Sequence, residues 1–181
     1  AKDRVNQAAA IFLTTVGKAQ ELGVPEEQWV FLQAYAQTSE RVLLERPRLG
    51  QSEALRMALQ ASLDRCGKTT DDIAHFDLYS CFPIVVHEAR EILGIAKDDP
   101  RPLTVTGGLP YFGGPGNNYS MHAIASMVER LRADGGSYGL VLANGGWISK
   151  LAVGIYSITA PANWSAQSST ALQAQLDALP H

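Results

Sequence analysis

Residues 76–93 have the sequence FDLYSCFPIVVHEAREIL, and the pattern changes in the middle of this stretch. The first part, residues 76–82, is short, apolar and aromatic, as expected of a buried strand. Pro83 follows at a position where helices often begin, and Gly94 stands where a helix would end. The residues between them that recur at helical spacing are Val85, Ala89, Ile92 and Leu93. The stretch therefore predicts a strand that leads directly into a helix.

The same alternation continues on both sides of this stretch. Further strands are predicted over residues 8–14, 29–36, 139–144 and 148–158. Helices are predicted over residues 16–22, 52–66 and 119–132. Ser52 is a suitable N-cap and Gly67 a suitable stop for the second helix. The predicted buried face of the third helix is Met121, Ile124, Val128 and Leu131.

This order of elements predicts an α/β fold. Strands that alternate with helices favour a mostly parallel sheet covered on both faces. Residues 139–144 and 148–158 are separated only by a turn around Gly145-Gly146, so at least one strand should be antiparallel. We expect a three-layer α/β/α domain over residues 5–160, with a mixed sheet of about five strands. Residues 161–181 turn to Ser, Ala and Gln, which predicts a linker or tail toward a missing segment.

Composition excludes several classes of protein. The chain has 181 residues, of which 46% are hydrophobic and 18% charged, as in a globular domain. The net charge of -3 and the lack of long basic runs argue against a nucleic-acid surface. No apolar run is long enough for a membrane span, and no secretory signal is visible. Cys66 and Cys81 form neither a disulfide framework nor a metal-ligand spacing, so we expect a reducing cytoplasm and no metal site.

Three glycine- or cysteine-containing motifs, taken in order, resemble the thiolase superfamily. They are Asp77-Leu78-Tyr79-Ser80-Cys81-Phe82-Pro83, the loop Gly107-Gly108…Gly113-Gly114-Pro115, and Ala143-Asn144-Gly145-Gly146. Their order and spacing are similar to the active-site loops of that superfamily's C-terminal domain, and residues 5–10 resemble its opening. The branch that looks most similar is the acetyl-CoA acetyltransferase-like one near the sterol-carrier-type thiolases. Together with a first residue, Ala1, that is not an initiator Met, the resemblance leads us to expect a fragment of a longer polypeptide.

The resemblance also shows departures at the family's functional positions. Tyr79 stands where the family has an Asn or His. The family's Gly-His-Pro is Gly113-Gly114-Pro115 here, and Ala143 replaces the acid/base Cys of its Cys-x-Gly. Gly145 keeps the backbone that, by the resemblance, lines an oxyanion hole. The nucleophilic Cys of the family belongs to an N-terminal domain that this chain does not contain.

Candidate site residues follow from these motifs, each with a structural alternative. Tyr79 is predicted to donate a proton or a hydrogen bond, or else to be a core residue. His122, in the first turn of a helix, is predicted to act as a base or donor in place of the missing His, or to cap a loop carbonyl. Gly145 completes the predicted catalytic set. Cys81 fits a small buried hydrophobic residue better than a nucleophile.

The glycine loop is predicted to form a wall of the acyl pocket, with a purely structural loop as the alternative. It has neither the dinucleotide-binding spacing nor the lysine of a P-loop, so it does not indicate a phosphate site. The predicted substrate-binding residues are Gly107, Gly108, Gly113, Gly114, Asn144 and Gly146.

The resemblance implies a thiolase-like acyl-CoA acyltransferase of lipid metabolism. It implies a coenzyme A thioester as substrate, no tightly bound cofactor, the missing N-terminal thiolase domain as partner, and a possible homo-oligomer. With the usual His and Cys replaced, two alternatives stay open. One is a retro-aldolase in which Tyr79 moves the proton, and the other is a non-catalytic acyl-CoA-binding or scaffold subunit. On its own, the chain is expected to be inactive.

Overall fold

The computed structural model describes residues 4–166 and 168–180, in which strands and helices alternate. The strands are β1 (Phe31–Ser39), β2 (Ile73–Leu78), β3 (Tyr138–Gly145) and β4 (Lys150–Ser157). The helices are α1 (Val16–Glu21), α2 (Glu53–Cys66), α3 (Pro83–Ile92), α4 (Leu109–Phe112), α5 (Tyr119–Asp134) and α6 (Thr170–Asp177). Single 3₁₀ turns lie in the connections, at Glu26–Gln28, Leu43–Glu45, Thr70–Asp72 and Gly116–Asn118.

The four strands form one mixed sheet in the order β1-β4-β3-β2. β2 and β3 are parallel, whereas β4 is antiparallel to both β3 and β1. The α/β class and the hairpin around Gly145-Gly146 are confirmed. The expectation of a mostly parallel sheet is wrong, because the short turn over residues 146–149 reverses the chain and β1 then pairs with the reversed strand.

Helices cover both faces of the sheet, which gives the expected three layers. On one face, α2, α3 and α6 pack against alternate residues of the central strands, such as Leu140 and Leu142. On the other face, α5 packs against the intervening residue Val141. Gly139 makes this second contact close, because a Cβ at that position would lie 2.1 Å from the sulfur of Met127.

The ends of α2 are those that the sequence predicts. The Ser52 hydroxyl accepts a hydrogen bond from the backbone N–H of Leu55 at 3.1 Å, which caps the first turn. Gly67 ends the helix in the left-handed conformation, with φ of 62°. The predicted buried residues Leu55, Leu59 and Leu63 all lie in the main core.

The predicted strand over residues 8–14 is wrong. This segment has no regular secondary structure, and the side chains of Phe12 and Leu13 are 71% and 87% exposed. Its apolar composition suggested a buried strand, but the segment pairs with neither sheet edge, β1 nor β2. It runs instead along a surface groove beside α5.

The predicted face of α5 is also displaced around the helix. The buried residues are Tyr119, Ala123, Met127 and Leu131, and of these only Leu131 was predicted. The predicted helical spacing is right, but the buried face is rotated around the helix axis from the predicted one. Gly139 has no side chain, so Met127 packs against the sheet at this position. Ile124 and Val128, which were predicted to be buried, line the groove beside the N-terminal segment.

The segment predicted as a linker or tail contains α6. Its Leu176 is 1% exposed and belongs to the main core, so this helix packs on the domain. The division of the chain at residue 160 stays a prediction. Within residues 4–166 and 168–180, no helix has the length and apolar character that crossing a membrane requires.

Candidate functional site

A cavity of about 940 Å³ opens at the end of the sheet where β2 and β3 finish and β4 begins. Tyr79, directly after β2, lines it together with Ala143, Asn144 and Gly145 at the end of β3. Lys150, the first residue of β4, lies opposite Gly145 in the hairpin. The cavity therefore brings together the first and third motifs that the sequence singled out.

Tyr79 is half-buried beside this cavity. Its ring meets that of Tyr119 edge-on, with 5.3 Å between the ring centroids. Burial, with a smaller contribution from Cys81, raises the pKa of the Tyr79 phenol above its ordinary value of 10.0. Tyr79 therefore stays protonated at neutral pH, and can donate a hydrogen bond to a ligand but does not serve as a ready base.

Asn144 is buried, is among the residues that line the cavity, and contacts Cys81. The Asn144 Nδ2 donates to the Cys81 sulfur at 3.3 Å. Its Oδ1 is buried and has no hydrogen-bond partner in the part of the chain that the structure describes. Cys81 itself is a free, partly buried thiol that packs against the main core.

Gly145 and Gly146 shape the turn between β3 and β4. The carbonyl of Gly145 accepts a hydrogen bond from the Ser149 N–H at 3.0 Å. Gly146 has φ of 64°, a left-handed conformation that glycine adopts without strain. Gly145 lines the cavity, whereas Gly146 is not among its described lining residues.

The first pair of loop glycines is held against the end of β2. Gly108 has φ of 83°, and a Cβ there would lie 2.9 Å from the Ser80 hydroxyl oxygen. That hydroxyl accepts a hydrogen bond from the N–H of Leu109 at 2.9 Å. Gly107 also has a positive φ, of 92°. Neither glycine is among the described residues that line the cavity.

The second pair of loop glycines lies near the N-terminal segment. Gly113 has φ of 105°, and a Cβ there would lie 3.0 Å from Val5 and 3.3 Å from Gln7. The Gln7 side chain donates to the carbonyl of Phe112 at 2.7 Å, which ties this segment to the loop. Gly113 and Gly114 also lie outside the described lining of the cavity. Within the loop and the start of α5, the cavity is lined by Asn117 and Ser120.

His122 does not share the cavity with Tyr79 among the described lining residues. Its Nε2 lies 3.4 Å from the Asn118 side-chain nitrogen, and its ring lies 5.1 Å from that of Phe112, measured between centroids. Ser120 and His122 lie on different faces of α5, since residues two positions apart in a helix do not share a face. The structure therefore unites Tyr79 with Gly145 and leaves His122 beside the loop.

A buried hydrogen-bond network that sequence reasoning missed supports the site. Asp77, 0% exposed, accepts bonds at its Oδ2 from the N–H groups of Val105 and Thr106, at 3.0 and 3.1 Å. Its Oδ2 also accepts from the Thr106 hydroxyl at 2.9 Å, and its Oδ1 from the Tyr119 hydroxyl at 3.1 Å. The two hydroxyls lie 2.6 Å apart.

This network joins β2, the start of the glycine loop and the first residue of α5. Burial raises the pKa of the Asp77 carboxyl above 3.8 and also raises the pKa of the Tyr119 phenol. Because Tyr119 packs against Tyr79, the network fixes the ring that faces the cavity. The sequence signal that could have revealed this network is Asp77, the single carboxylate in the mostly apolar strand β2. A buried charge needs several hydrogen-bond partners, so its presence there predicts such a network.

Comparisons with known proteins agree with the fold and the motifs. No family model matches the chain. The chain is similar to 3-ketoacyl-CoA thiolases of Salmonella typhimurium and Salmonella newport. Each is 31% identical over 150 residues, covering 75% of this chain and 33% of the relative.

A solved structure gives a stronger match. The crystal structure of a monomeric SCP2-thiolase-like protein type 1 from Mycobacterium smegmatis is 53% identical, with a TM-score of 0.87. The match covers 91% of this chain and 37% of that chain, so the sequence spans about a third of the length of the proteins it resembles. The chain belongs to the thiolase superfamily, and its sequence and fold are consistent with that superfamily's C-terminal domain, near the sterol-carrier-type thiolases.

Proposed function

We propose that this chain is the domain of a thiolase-like acyl-CoA acyltransferase that forms one side of the thioester site. The observation that carries the proposal is the shared cavity of Tyr79, Asn144 and Gly145 at the end of β2 and β3. These residues come from two separate motifs of the sequence. In this proposal the substrate is a coenzyme A thioester, and no tightly bound cofactor takes part.

Tyr79 is the proposed hydrogen-bond donor to the thioester carbonyl. A protonated phenol at the wall of the cavity stabilises negative charge that develops on that oxygen. The backbone N–H of Gly145 is the proposed second donor, at the turn that follows β3. Two donors directed at one oxygen stabilise an enolate or a tetrahedral intermediate without themselves giving up a proton.

This chain supplies little of the proton transfer that thiolase chemistry requires. At the positions of the family's His and Cys stand Gly114 and Ala143, neither of which has an ionisable side chain. His122, the proposed substitute, contacts Phe112 and Asn118 away from the cavity. The nucleophile and the proton-transfer groups of an acyltransferase therefore have to come from the N-terminal thiolase domain that we propose as partner.

Two other functions are each favoured by one observation. A retro-aldolase that uses Tyr79 is favoured because Tyr79 lines the cavity at the end of β2 and no histidine is among the described lining residues. The raised pKa of Tyr79 counts against its use as the initial base. A non-catalytic acyl-CoA-binding or scaffold subunit is favoured by Gly114 and Ala143. Both alternatives retain thioester binding at this cavity.

The setting of the protein is proposed on similar grounds. Cys66 and Cys81 are free thiols, which supports a reducing compartment such as the cytoplasm. A role in lipid metabolism follows from the proposed acyl-CoA substrate. A homo-oligomer stays a possible assembly of the whole protein.

Backbone chemical shifts provide the test of thioester binding. Titration of the ¹⁵N-labelled chain with acetoacetyl-CoA should shift the amide signals of Tyr79, Asn144, Gly145 and Ser120. The amides of Gly113 and His122 serve as internal controls and should move little. Saturable shifts confined to a different surface, or none at about 1 mM thioester, would contradict the proposal.

A further inference from the structure

A second cavity, of about 420 Å³, lies between the β1–α2 connection and the C-terminal end of α6. We call it the arginine cleft, because four arginines of the connection and of α2 line it: Arg41, Arg46, Arg48 and Arg56. Its acidic lining residues are Glu40 and Glu53. Four arginines against two glutamates give the described lining a formal charge of +2. The sequence motifs assign no role to this part of the chain.

Arg46 is the buried arginine of the cleft, with 9% of the residue exposed. Its guanidinium donates to the carbonyl of Arg41 at 2.9 Å and to the hydroxyl of Ser149 at 3.3 Å. Both acceptors are neutral groups. Within residues 4–166 and 168–180, Arg46 takes part in no ion pair. Buried charges are normally paired, so an anion bound in the cleft would stabilise this guanidinium.

The carboxylates that interact electrostatically with Arg46 are bound at the start of α2. They belong to Glu40 and Glu88. Glu40 accepts hydrogen bonds from the Ser52 hydroxyl at 2.7 Å and from the N–H of Ala54 at 2.9 Å. Glu88 accepts from the N–H of Ser52. Negative charge is favoured at a helix N-terminus, so both carboxylates are already stabilised there and leave Arg46 without a direct partner.

Arg48 offers further donors at the entrance of the cleft. It is exposed, and its described hydrogen bond goes to the neutral side chain of Gln51, at 2.9 Å. Arg56 differs, because it pairs with Glu53 at 2.7 Å. A guanidinium carries five N–H donors, so Arg46 and Arg48 each retain donors that a ligand can use.

The charge and the donors of the cleft fit a phosphate group. Guanidinium groups bind phosphate oxygens through paired N–H donors, with a geometry that an ammonium group does not match. A phosphate monoester carries a charge of about −1.5 to −2 at neutral pH, which balances the charge of the described lining. A single carboxylate would balance only half of it.

The arginine cleft lies close to the cavity beside Tyr79. α6 borders both, since Leu176 lines the cleft and the next but one residue on the helix surface, Asp177, lines the cavity. The end of β1 also borders both, through Ser39 in the cavity and Glu40 in the cleft. A ligand in the cavity is therefore one source of a phosphate group for the cleft.

We propose that the arginine cleft binds a phosphate monoester, held chiefly by Arg46 and Arg48. This inference goes beyond the proposed function and does not depend on thioester binding beside Tyr79. The monoester has two sources to distinguish. One is the 3′-phosphate of coenzyme A, and the other is a separate phosphate-bearing ligand.

Calorimetric titration of the chain with inorganic phosphate, at constant ionic strength, tests the site. We expect saturable binding with a Kd of about 1 mM or tighter. Arg48→Gln should weaken it by about fivefold to tenfold, because a hydrogen bond to a charged group is lost. The matched control is Arg130→Gln, which removes the same charge from an exposed position of α5 outside the cleft. It should leave the affinity unchanged.

Arg46→Lys gives a second test at the buried position. It keeps the positive charge and loses the planar pair of donors, so it should also weaken phosphate binding by about fivefold or more. Because Arg48 is exposed, Arg48→Gln carries the test if Arg46→Lys fails to fold. No saturable binding by the wild type up to about 10 mM phosphate would overturn the inference. Equal affinities of Arg48→Gln and Arg130→Gln would overturn it as well.

Titrations with coenzyme A and with dephospho-coenzyme A, which lacks the 3′-phosphate, identify the source. A preference for coenzyme A of about fivefold or more that disappears in Arg48→Gln would assign the site to its 3′-phosphate. Equal affinities, together with phosphate binding that depends on Arg48, would assign it to a separate ligand. Either result supports the phosphate site. Failure of both coenzymes to bind would contradict the proposed function, whereas the phosphate titration would still decide this inference.

Discussion

The carboxyl group of Asp77 accepts a hydrogen bond from the hydroxyl of Tyr119 at 3.1 Å, across the 42 residues that separate them in sequence. The same carboxyl accepts bonds from Val105 and Thr106, at the start of the glycine loop. One buried group therefore fixes the relative positions of β2, the loop and α5. Tyr79, two residues after Asp77, faces the cavity with its ring against Tyr119.

Replacement of Asp77 by Ala should destabilise the domain strongly. It leaves the N–H groups of Val105 and Thr106 without an acceptor, and we expect a loss of about 2–4 kcal/mol in the free energy of unfolding. Asp77→Asn is the matched control, because its amide oxygen can accept from the loop while its nitrogen donates to Tyr119. It should cost no more than about 1 kcal/mol. Urea titrations compare the two, and equal losses would contradict the network.

A comparison of the wild type with Asp77→Asn also isolates the effect of Asp77 titration on stability. The pKa of Asp77 in the folded state lies above its ordinary value of 3.8, because burial disfavours the charged carboxylate. In the window between the two values, the unfolded chain has released a proton that the folded chain still holds. Stability therefore falls as pH rises through this window. The wild type should lose stability relative to Asp77→Asn as the pH rises above the ordinary carboxyl pKa of 3.8, and a rising difference would contradict this assignment.

The chain alone should show no thiolysis of acetoacetyl-CoA. Gly114 and Ala143 have no ionisable side chain, and in our proposal the nucleophile comes from the N-terminal thiolase domain. Release of acetyl-CoA is followed by chromatography against a reaction without protein. Cys81→Ser is the informative variant, since Cys81 is a free thiol beside Asn144. Turnover by the wild type that disappears in this variant would make Cys81 a nucleophile and overturn our account.

Much of the fold is predictable because it depends on local patterns. The Ser52 cap, the Gly67 stop and the leucine spacing between them define α2 from sequence alone. The hairpin after β3 follows from Gly145-Gly146. The apolar segment over residues 8–14 was misjudged because composition does not show whether a partner strand is available. α6 was missed because Leu172, Leu176 and Leu179 indicate a helix only when the core beneath them is known.

The site is predictable in part for a similar reason. Tyr79 and Gly145 each lie at the end of a strand, and neighbouring strands that are parallel bring such ends together. His122 depends on the rotation of α5, and the sequence pattern placed that rotation wrongly. The Asp77 network and the hydrogen bonds between Gln173 and Ser39 join residues that are far apart in the chain. Such contacts have no signature at short range, so the sequence identified the motifs but not the groups that hold them.

The apolar groove beside α5 should make the isolated chain self-associate. Ile124 and Val128 line this groove together with the exposed Phe12 and Leu13 of the N-terminal segment. Exposed apolar patches of this kind usually mark an interface, and we propose the N-terminal thiolase domain as its natural partner. Multi-angle light scattering over a range of concentrations should show a mass above that of the monomer.

A pair of variants tests whether the groove is responsible. Phe12→Ser should shift the distribution toward the monomer, because Phe12 is 71% exposed on the groove. Leu44→Ser, at a leucine that is 96% exposed outside the groove, should leave the mass unchanged. A wild type that is monomeric at all concentrations, or equal effects of the two variants, would contradict this role of the groove.

The contribution of Tyr79 to thioester affinity tests the central claim most directly. Isothermal titration with acetoacetyl-CoA compares Tyr79→Phe, which removes the Tyr79 hydroxyl, with Tyr111→Phe, at a tyrosine that is 92% exposed and not among the described lining residues of the cavity. Tyr79→Phe should weaken binding by about fivefold to tenfold, the usual effect of losing one hydrogen bond, and Tyr111→Phe should not weaken it. The ratio of the wild-type affinity to the Tyr79→Phe affinity should also stay constant from about pH 6 to about pH 9, because the Tyr79 pKa lies above 10.0. Equal affinities of the wild type and Tyr79→Phe would contradict the account.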